Sequence, residues 1–543
     1  MDNILKLLTQ QKQLPLCEYV KRIGPGNFTN FDLTHLEDFL NKLSEIRNAQ
    51  NGKKEEKKDQ GEEEEYVVEA PPLINISSIH ECNEEPPNGS IFIDTYKKAD
   101  LMNELKNIGL EIIKRSEVAV LILAGGMGSR LGFSKPKGLL EITPVLKKTF
   151  FQFYFEKVKF LEEYTVAVDT ALGGHDHVDG KGTMGCANGS SARGEDPRPK
   201  SKTVNRATIY VYVMTSEYTH DETVQFLEEK NFFGLKKENI KFFKQSNNYA
   251  TDFNFNVVLS NQNTFLTSPG GNGALFNALG KNEIIDDMVR KNIKYVQIVS
   301  IDNVLNKISD PVLIGFCSLF NCDIANKAVK MEDVGSMGIF CLKRPRKEEP
   351  PDNTIKNEFS VCEYTEMNEY ILSNPELFTY GNICHHIFSL PFLQQIVNGK
   401  LYNDMKLHRI VRTKEYHNFG EGKDGESPLA TSSSPLYCYE YFIFDVFKYA
   451  KRILSLEVSR EDEFYPIKSN DNGMAILNAQ KKLSNMHRSW LENMKFTIIA
   501  NPVEKLNWCE ISPLVSYDGT FFFHLPAQKN LHLPFSLDST SSS

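Results

Sequence analysis

Apolar residues along this chain follow two alternating rhythms. From residue 117 onward, short continuous apolar runs, as in a strand buried on both faces, are separated by stretches with apolar residues every three or four positions, as on one side of a helix. The spacing predicts strands over 117–123, 208–214, 239–244 and 294–301, with helices over about 149–162, 220–229 and 282–291 between them. That order implies an α/β fold: a doubly wound, Rossmann-like sheet, mixed but mainly parallel, with ligands at the C-terminal ends of its strands. Upstream, Ile4, Leu7, Leu8 and then Leu33, Leu36, Phe39, Leu40 and Leu43 carry helical spacing, and a further helix is predicted over 99–116.

Three polar stretches break the pattern: the charged run 49–65, the Gly-, Ser- and His-rich 170–205, and 417–435. All three read as flexible inserts. Beyond about 450 the pattern shifts to short β segments, such as 495–499 and 521–523. The expected organisation is a mainly helical 1–115, a catalytic 116–449 and a small β-rich 450–543.

Composition narrows the class. The 543 residues include 41% hydrophobic and 24% charged residues, ordinary for a globular protein, and the length calls for two or three domains. A net charge of −9 argues against a nucleic-acid binder. No apolar run approaches the length of a membrane span, and the N-terminus lacks the pattern of a secretory signal. Ten scattered cysteines without C-x-x-C pairs imply reduced thiols and a cytoplasmic location. His175, His177 and Cys186 lie in an insert that offers no rigid metal geometry.

Against this acidic background, residues 123–138 (Leu-Ala-Gly-Gly-Met-Gly-Ser-Arg-Leu-Gly-Phe-Ser-Lys-Pro-Lys-Gly) stand out. They follow a buried strand, they let the backbone approach a ligand closely, and Arg130, Lys135 and Lys137 make the segment positive. A nucleoside triphosphate suits such a site. The spacing is neither a Walker loop nor a dinucleotide fingerprint, since from Gly126 it runs G-x-G-x-x-x-G. Two more segments carry candidate chemistry. Asp302 ends the apolar run Ile298–Ile301, where an acid either supplies an oxygen to a phosphate-bridging Mg²⁺ or caps a following helix. Ser268-Pro-Gly-Gly-Asn-Gly-Ala is a second glycine-dense turn before a helical pattern, suited to an anion or a flat base, with Asn272 alternatively a cap.

The 123–138 segment matches L-x-G-G-x-G-[ST]-R-L-G-x-x-x-P-K and resembles the UDP-sugar pyrophosphorylases, most closely the eukaryotic UDP-N-acetylglucosamine (UDP-N-acetylhexosamine) branch. The resemblance covers about residues 100–530 apart from the two later inserts. It implies uridylyl transfer from UTP to N-acetylglucosamine 1-phosphate, giving UDP-N-acetylglucosamine and pyrophosphate, with Mg²⁺ or alternatively Mn²⁺, in a monomer or weak homodimer. Alternatives are a sibling enzyme for another hexose 1-phosphate and a non-catalytic nucleotide-sugar sensor.

Because the attacking group is already a phosphate anion, such a reaction needs cations and amides rather than a strong base. Arg130 suits the leaving β and γ phosphates, Lys137 the α phosphate, and Asp302 the metal. The nucleotide would lie against Leu123, Ala124, Gly125, Gly126 and Gly128. The resemblance adds Gln245 and Gly271 at the uracil. It implies Asn272, Gly338, Glu363, Tyr364, Asn382, Phe442, Phe444 and Lys468 at the sugar and its phosphate. One departure weakens charge neutralisation: where similar enzymes carry a lysine four residues before Phe442, this chain has Cys438, with Lys406 or Lys448 as expected substitutes.

Overall fold

The computed structural model describes residues 2–28, 31–56, 66–75, 85–95, 98–172, 207–331, 337–345, 357–418, 430–468 and 474–539. Its centre is a twelve-stranded sheet whose main path runs Leu73–Asn75, Ile91–Ile93, Ile453–Val458, Ile324–Lys330, Tyr380–Ser389, Tyr295–Ser300, Val118–Leu123, Tyr210–Thr215, Ile240–Lys244. Neighbours along this path pair in parallel, except that Tyr380–Ser389 is antiparallel to both of its partners.

The run Val118–Leu123 explains the layering. Successive strand residues point to opposite faces. Val118, Val120 and Ile122 enter one buried core, while Ala119, Leu121 and Leu123 enter another. The first core is completed by helices Ala99–Lys114, Phe150–Leu172 and Pro311–Leu319, and the second by Leu275–Lys281 and Ile284–Arg290. With helices on both faces, every residue of this strand is buried. The doubly wound, mainly parallel α/β architecture expected from the periodicity is what the chain adopts.

Several boundaries differ from expectation. The helix Leu33–Glu56 runs into the charged stretch at 49–65, because Lys, Glu and Gln are good helix formers and charge alone does not end a helix. The helix at 150 continues to Leu172, past 162 and into the expected insert at 170–205. The rest of that insert, with His175, His177 and Cys186, and residues 57–65 lie outside the described residues. The stretch 417–435 contributes to two long strands, His408–Asn418 and Ala430–Glu440, which pair over their whole length. Alternation within a hairpin, rather than overall polarity, decides that segment.

C-terminal to 450, the strand Ile453–Val458 sits inside the central sheet. A 20-residue helix, Met474–Asn493, follows where short β segments were expected. Thr497–Ile499 is a strand, whereas Phe521–Phe523 is not; the rings of Phe521 and Phe523 pack into the main core around Phe160. Two short parallel pairs, Thr497–Ile499 with Asn530–His532 and Cys509–Ile511 with Phe535–Leu537, complete this end. It is tied down through Lys148, whose buried ammonium meets Glu156 (2.6 Å), Ser512 (2.7 Å) and Asp538 (3.4 Å).

The N-terminal helices build a separate core. Leu8, Leu16, Val20, Phe39 and Leu40 pack with Tyr249, Val257, Leu259, Phe265 and Tyr439, against the sheet formed by the hairpin, Leu259–Asn261 and Thr264–Phe265. Among the described residues no helix is long and apolar enough to cross a membrane.

Candidate active site

A cleft of about 770 Å³ opens at the C-terminal ends of the parallel strands. One wall is the loop after Val118–Leu123, with Gly125, Gly126, Met127, Ser129, Arg130 and Lys137 lining it. The spacing of glycines follows from contacts. A Cβ on Gly125 would come within 2.5 Å of Gln245 Nε2, so glycine lets the glutamine side chain lie flat against the loop. Around Gly126 nothing lies within 4 Å, and this is the point where the backbone faces open space. The expected cradle is narrower than 124–128: the Ala124 and Gly128 amides already donate to the Met214 and Lys135 carbonyls, at 2.8 and 2.9 Å. Both residues are buried behind the loop and neither lines the cleft.

Opposite charges meet at the loop's end. Lys137 Nζ lies 3.9 Å from an Asp302 carboxylate oxygen and donates to the Ile467 carbonyl at 2.9 Å. Burial lowers the pKa of Lys137; Asp302 opposes that shift, while Lys468 and Arg130 reinforce it. Asp302 does not cap a helix, since Pro311–Leu319 is capped by Asp310. Its turn is held instead by Asn303, which is almost wholly buried. Asn303 Nδ2 donates to the Glu463 carbonyl (2.7 Å) and Oδ1 accepts from the Tyr465 amide (2.8 Å), while the Ile467 amide donates to the Asp302 carbonyl (2.9 Å). The turns carrying Asp302 and Lys468 are thereby stapled together.

The second glycine turn forms the floor. Gly271 has φ +85°, and a Cβ there would also meet the Tyr441 carbonyl at 2.5 Å, so two independent constraints require glycine. Asn272 Oδ1 accepts from the Ile443 amide at 2.9 Å, which fixes this turn to the segment carrying Phe442 and Phe444. Leu123, Gln245, Gly271, Asn272, Tyr364 and Lys468 all line the cleft.

Five of the expected residues are not among those lining the cleft. Gly338 leaves room for Glu363, whose Oε1 would be 2.9 Å from an added Cβ, and its carbonyl accepts from the Asn382 amide at 2.9 Å. Asn382 Oδ1 accepts from the Cys384 amide (3.0 Å), and it is Cys384 that reaches the cleft. Burial raises the Glu363 carboxyl, partly offset by Lys468. Phe442 and Phe444 stack on each other with centroids 5.0 Å apart, and Phe442 lies 4.4 Å from the His408 ring. His408 bonds Asp445 (3.0 Å) and Glu366 (2.9 Å), and these bonds outweigh burial to raise its pKa.

The structure adds residues that sequence reasoning did not single out: Tyr218, Ser300, Cys384, Arg412, Lys414 and Glu440, and it brings Ser268 of the second glycine turn into the same lining. Arg412 and Lys414 are two apart, the spacing of one face of a strand, and that signal was available in a stretch adjoining an expected insert. The cations Arg130, Lys137, Arg412, Lys414 and Lys468 outnumber the carboxylates Asp302 and Glu440, so the cleft is positive in an acidic protein.

Residues 75–172 and 199–524 match the UTP–glucose-1-phosphate uridylyltransferase family. The chain belongs to that family. A relative from Dictyostelium discoideum, a probable UDP-N-acetylglucosamine pyrophosphorylase, is 30% identical over 95% of this chain and 96% of its own. The UDP-N-acetylglucosamine pyrophosphorylase of Saccharomyces cerevisiae is 32% identical over 77% of each chain. Among solved structures, the Trypanosoma brucei UDP-N-acetylglucosamine pyrophosphorylase superposes with a TM-score of 0.64, covering 98% of each chain at 22% identity. One from Entamoeba histolytica gives 0.62 at 24% identity, covering 84% of this chain and 100% of that one. These last two establish the nucleotidyltransferase fold. This family member is therefore a uridylyltransferase of the UDP-N-acetylglucosamine pyrophosphorylase type.

Proposed function

We propose that the chain makes UDP-N-acetylglucosamine from UTP and N-acetylglucosamine 1-phosphate. A phosphate oxygen of the sugar phosphate attacks the α phosphorus of UTP in line, the bond from that phosphorus to the β-phosphate oxygen breaks, and pyrophosphate leaves. The observation that carries the reading is the convergence of Arg130, Lys137, Asp302 and Lys468 in one cleft with the glycine loop and Gln245. Holding two polyanions together and neutralising a departing pyrophosphate is work for preorganised cations and amides. Lys137 and Lys468 suit the α phosphate and the incoming sugar phosphate, and Arg130 suits the leaving group. The amides of Gly125, Gly126 and Met127 remain for the nucleotide.

A magnesium ion, or manganese, fits the donor set. Among the described residues no three His, Cys, Asp or Glu side chains group as a protein-built metal site. Asp302 offers one carboxylate, the usual protein share when substrate phosphates and water complete an octahedral shell. When bound, the ion would add charge neutralisation to that of the cations. The described cysteines are free thiols, which supports a cytoplasmic setting.

Pyrophosphate release from UTP over a panel of sugar 1-phosphates tests the proposal. The highest kcat/KM is expected with N-acetylglucosamine 1-phosphate. Faster turnover of glucose 1-phosphate would reassign the substrate, and no release with any sugar phosphate would overturn the reading.

A further inference from the structure

The long hairpin lines the same cleft as the glycine loop. Ile410, Arg412 and Lys414 pair with Cys438, Leu436 and Ser434, so these six residues share one face. Arg412 and Lys414 reach the cleft but in different states. Arg412 is neutralised by Glu440 at 2.9 Å. Lys414 Nζ instead donates to a carbonyl, that of Thr267, at 2.9 Å. Burial lowers its pKa, the Cys438 thiol opposes that shift, and Arg412 reinforces it. Beside Thr267, Ser268 is 3% exposed and lines the cleft, and its buried Oγ has no hydrogen-bond partner among the described residues. Among the described residues, then, an ammonium without a carboxylate bonds the carbonyl of the residue next to a hydroxyl without a hydrogen bond. An anionic oxygen satisfies both, and an unmet buried polar group is costly.

We propose that Lys414 and Ser268 form a phosphate-oxygen subsite on the hairpin side of the cleft. The proposal rests on the uridylyl-transfer reading for the identity of its ligands. Cys438 is fully buried among Ala250, Val258, Tyr416 and Leu436 and has no route to the substrate. The substitutes expected from sequence lie elsewhere: Lys406 pairs with Glu366 at 2.9 Å, and Lys448 sits 5.1 Å from the Tyr449 ring centroid. The positive charge comes from the neighbouring strand.

Calorimetric binding of UTP and of uridine, with the KM for N-acetylglucosamine 1-phosphate, tests this on wild type, Lys414→Met, Lys414→Arg and Ser268→Ala. Lys414→Met is expected to weaken one phosphate substrate about tenfold with uridine affinity unchanged. Lys414→Arg recovers most of the loss, and Ser268→Ala loses a smaller factor on the same substrate. Whether UTP or the sugar phosphate is weakened identifies the phosphate held. Unchanged values in folded Lys414→Met overturn the subsite. So does an equal weakening of uridine, which would make the bond to Thr267 purely structural. If wild type binds UTP and shows the Lys414 effect without releasing pyrophosphate, the subsite stands and the transfer reading falls.

Discussion

The two walls of the cleft reach similar chemistry by different routes. On the glycine-loop side, the cations and the close backbone approach come from sixteen consecutive residues after one buried strand. On the hairpin side, Arg412, Lys414 and Glu440 come from two strands whose register brings them together. A local wall keeps its chemistry as long as its own turn folds. A wall made by pairing depends on every cross-strand partner, and a charge can move between strands without leaving the site. The cysteine at 438 and the lysine at 414 illustrate that freedom.

The largest expected break in this comparison comes from the local wall. Lys137→Ala removes a cation held 3.9 Å from Asp302, and should lower kcat about a hundred- to thousandfold, as loss of one preorganised donor does. Lys414→Met on the paired wall should act mainly on binding. Steady-state kinetics on both variants separates the two effects. If Lys137→Ala changed only KM, the walls would not differ in kind.

Cys438→Lys gives the next largest effect, on stability. The position is completely buried in an apolar cluster, so a new ammonium there is desolvated and faces Lys414, while the neighbouring Glu440 is already engaged by Arg412. A loss of about 3 kcal/mol is expected in urea unfolding, with no gain in UTP affinity. Tighter UTP binding in that variant would show that position 438 does communicate with the cleft.

The smallest effect is a shift in pH dependence. Lys137 has a pKa below that of an ordinary lysine, first through burial and then through Lys468 and Arg130. Its charge is complete at low pH and lost as pH rises through that lowered value. Activity should therefore fall on the alkaline side earlier than for a solvated lysine. Lys137→Arg, whose guanidinium does not deprotonate in this range, should move the alkaline limb upward in a kcat/KM profile. An unmoved limb would assign the ionisation to another group.

How much of this was legible in the sequence follows the same division. Strands such as Val118–Leu123 could be read because burial on both faces demands a continuous apolar run, and Tyr295–Ser300 could be read although the buried Gln297 interrupts its apolar run. The loop from Gly125 to Lys137, with Asp302, could be read because the chemistry lies in short contiguous segments, whereas Lys468 was placed only through the resemblance. The hairpin was harder: the i,i+2 spacing of Arg412 and Lys414 was present, but polar exposed positions masked it, and pairing shows which residues face inward. Met474–Asn493 was missed because its apolar positions are diluted by Lys, Asn and Gln, which lower the contrast that periodicity needs. The residues Gly338, Glu363, Asn382, Phe442 and Phe444, which the resemblance puts at the sugar, are not among those lining the cleft. Their contacts, such as those through Cys384, arise from packing that no local pattern encodes.

One side chain described above has a wider bearing. The amide of Asn303 grips both turns that end in charge, the one with the acid and the one with Lys468. The two backbone turns are therefore joined through one buried amide, which sets the spacing of the acid and the lysine along the cleft.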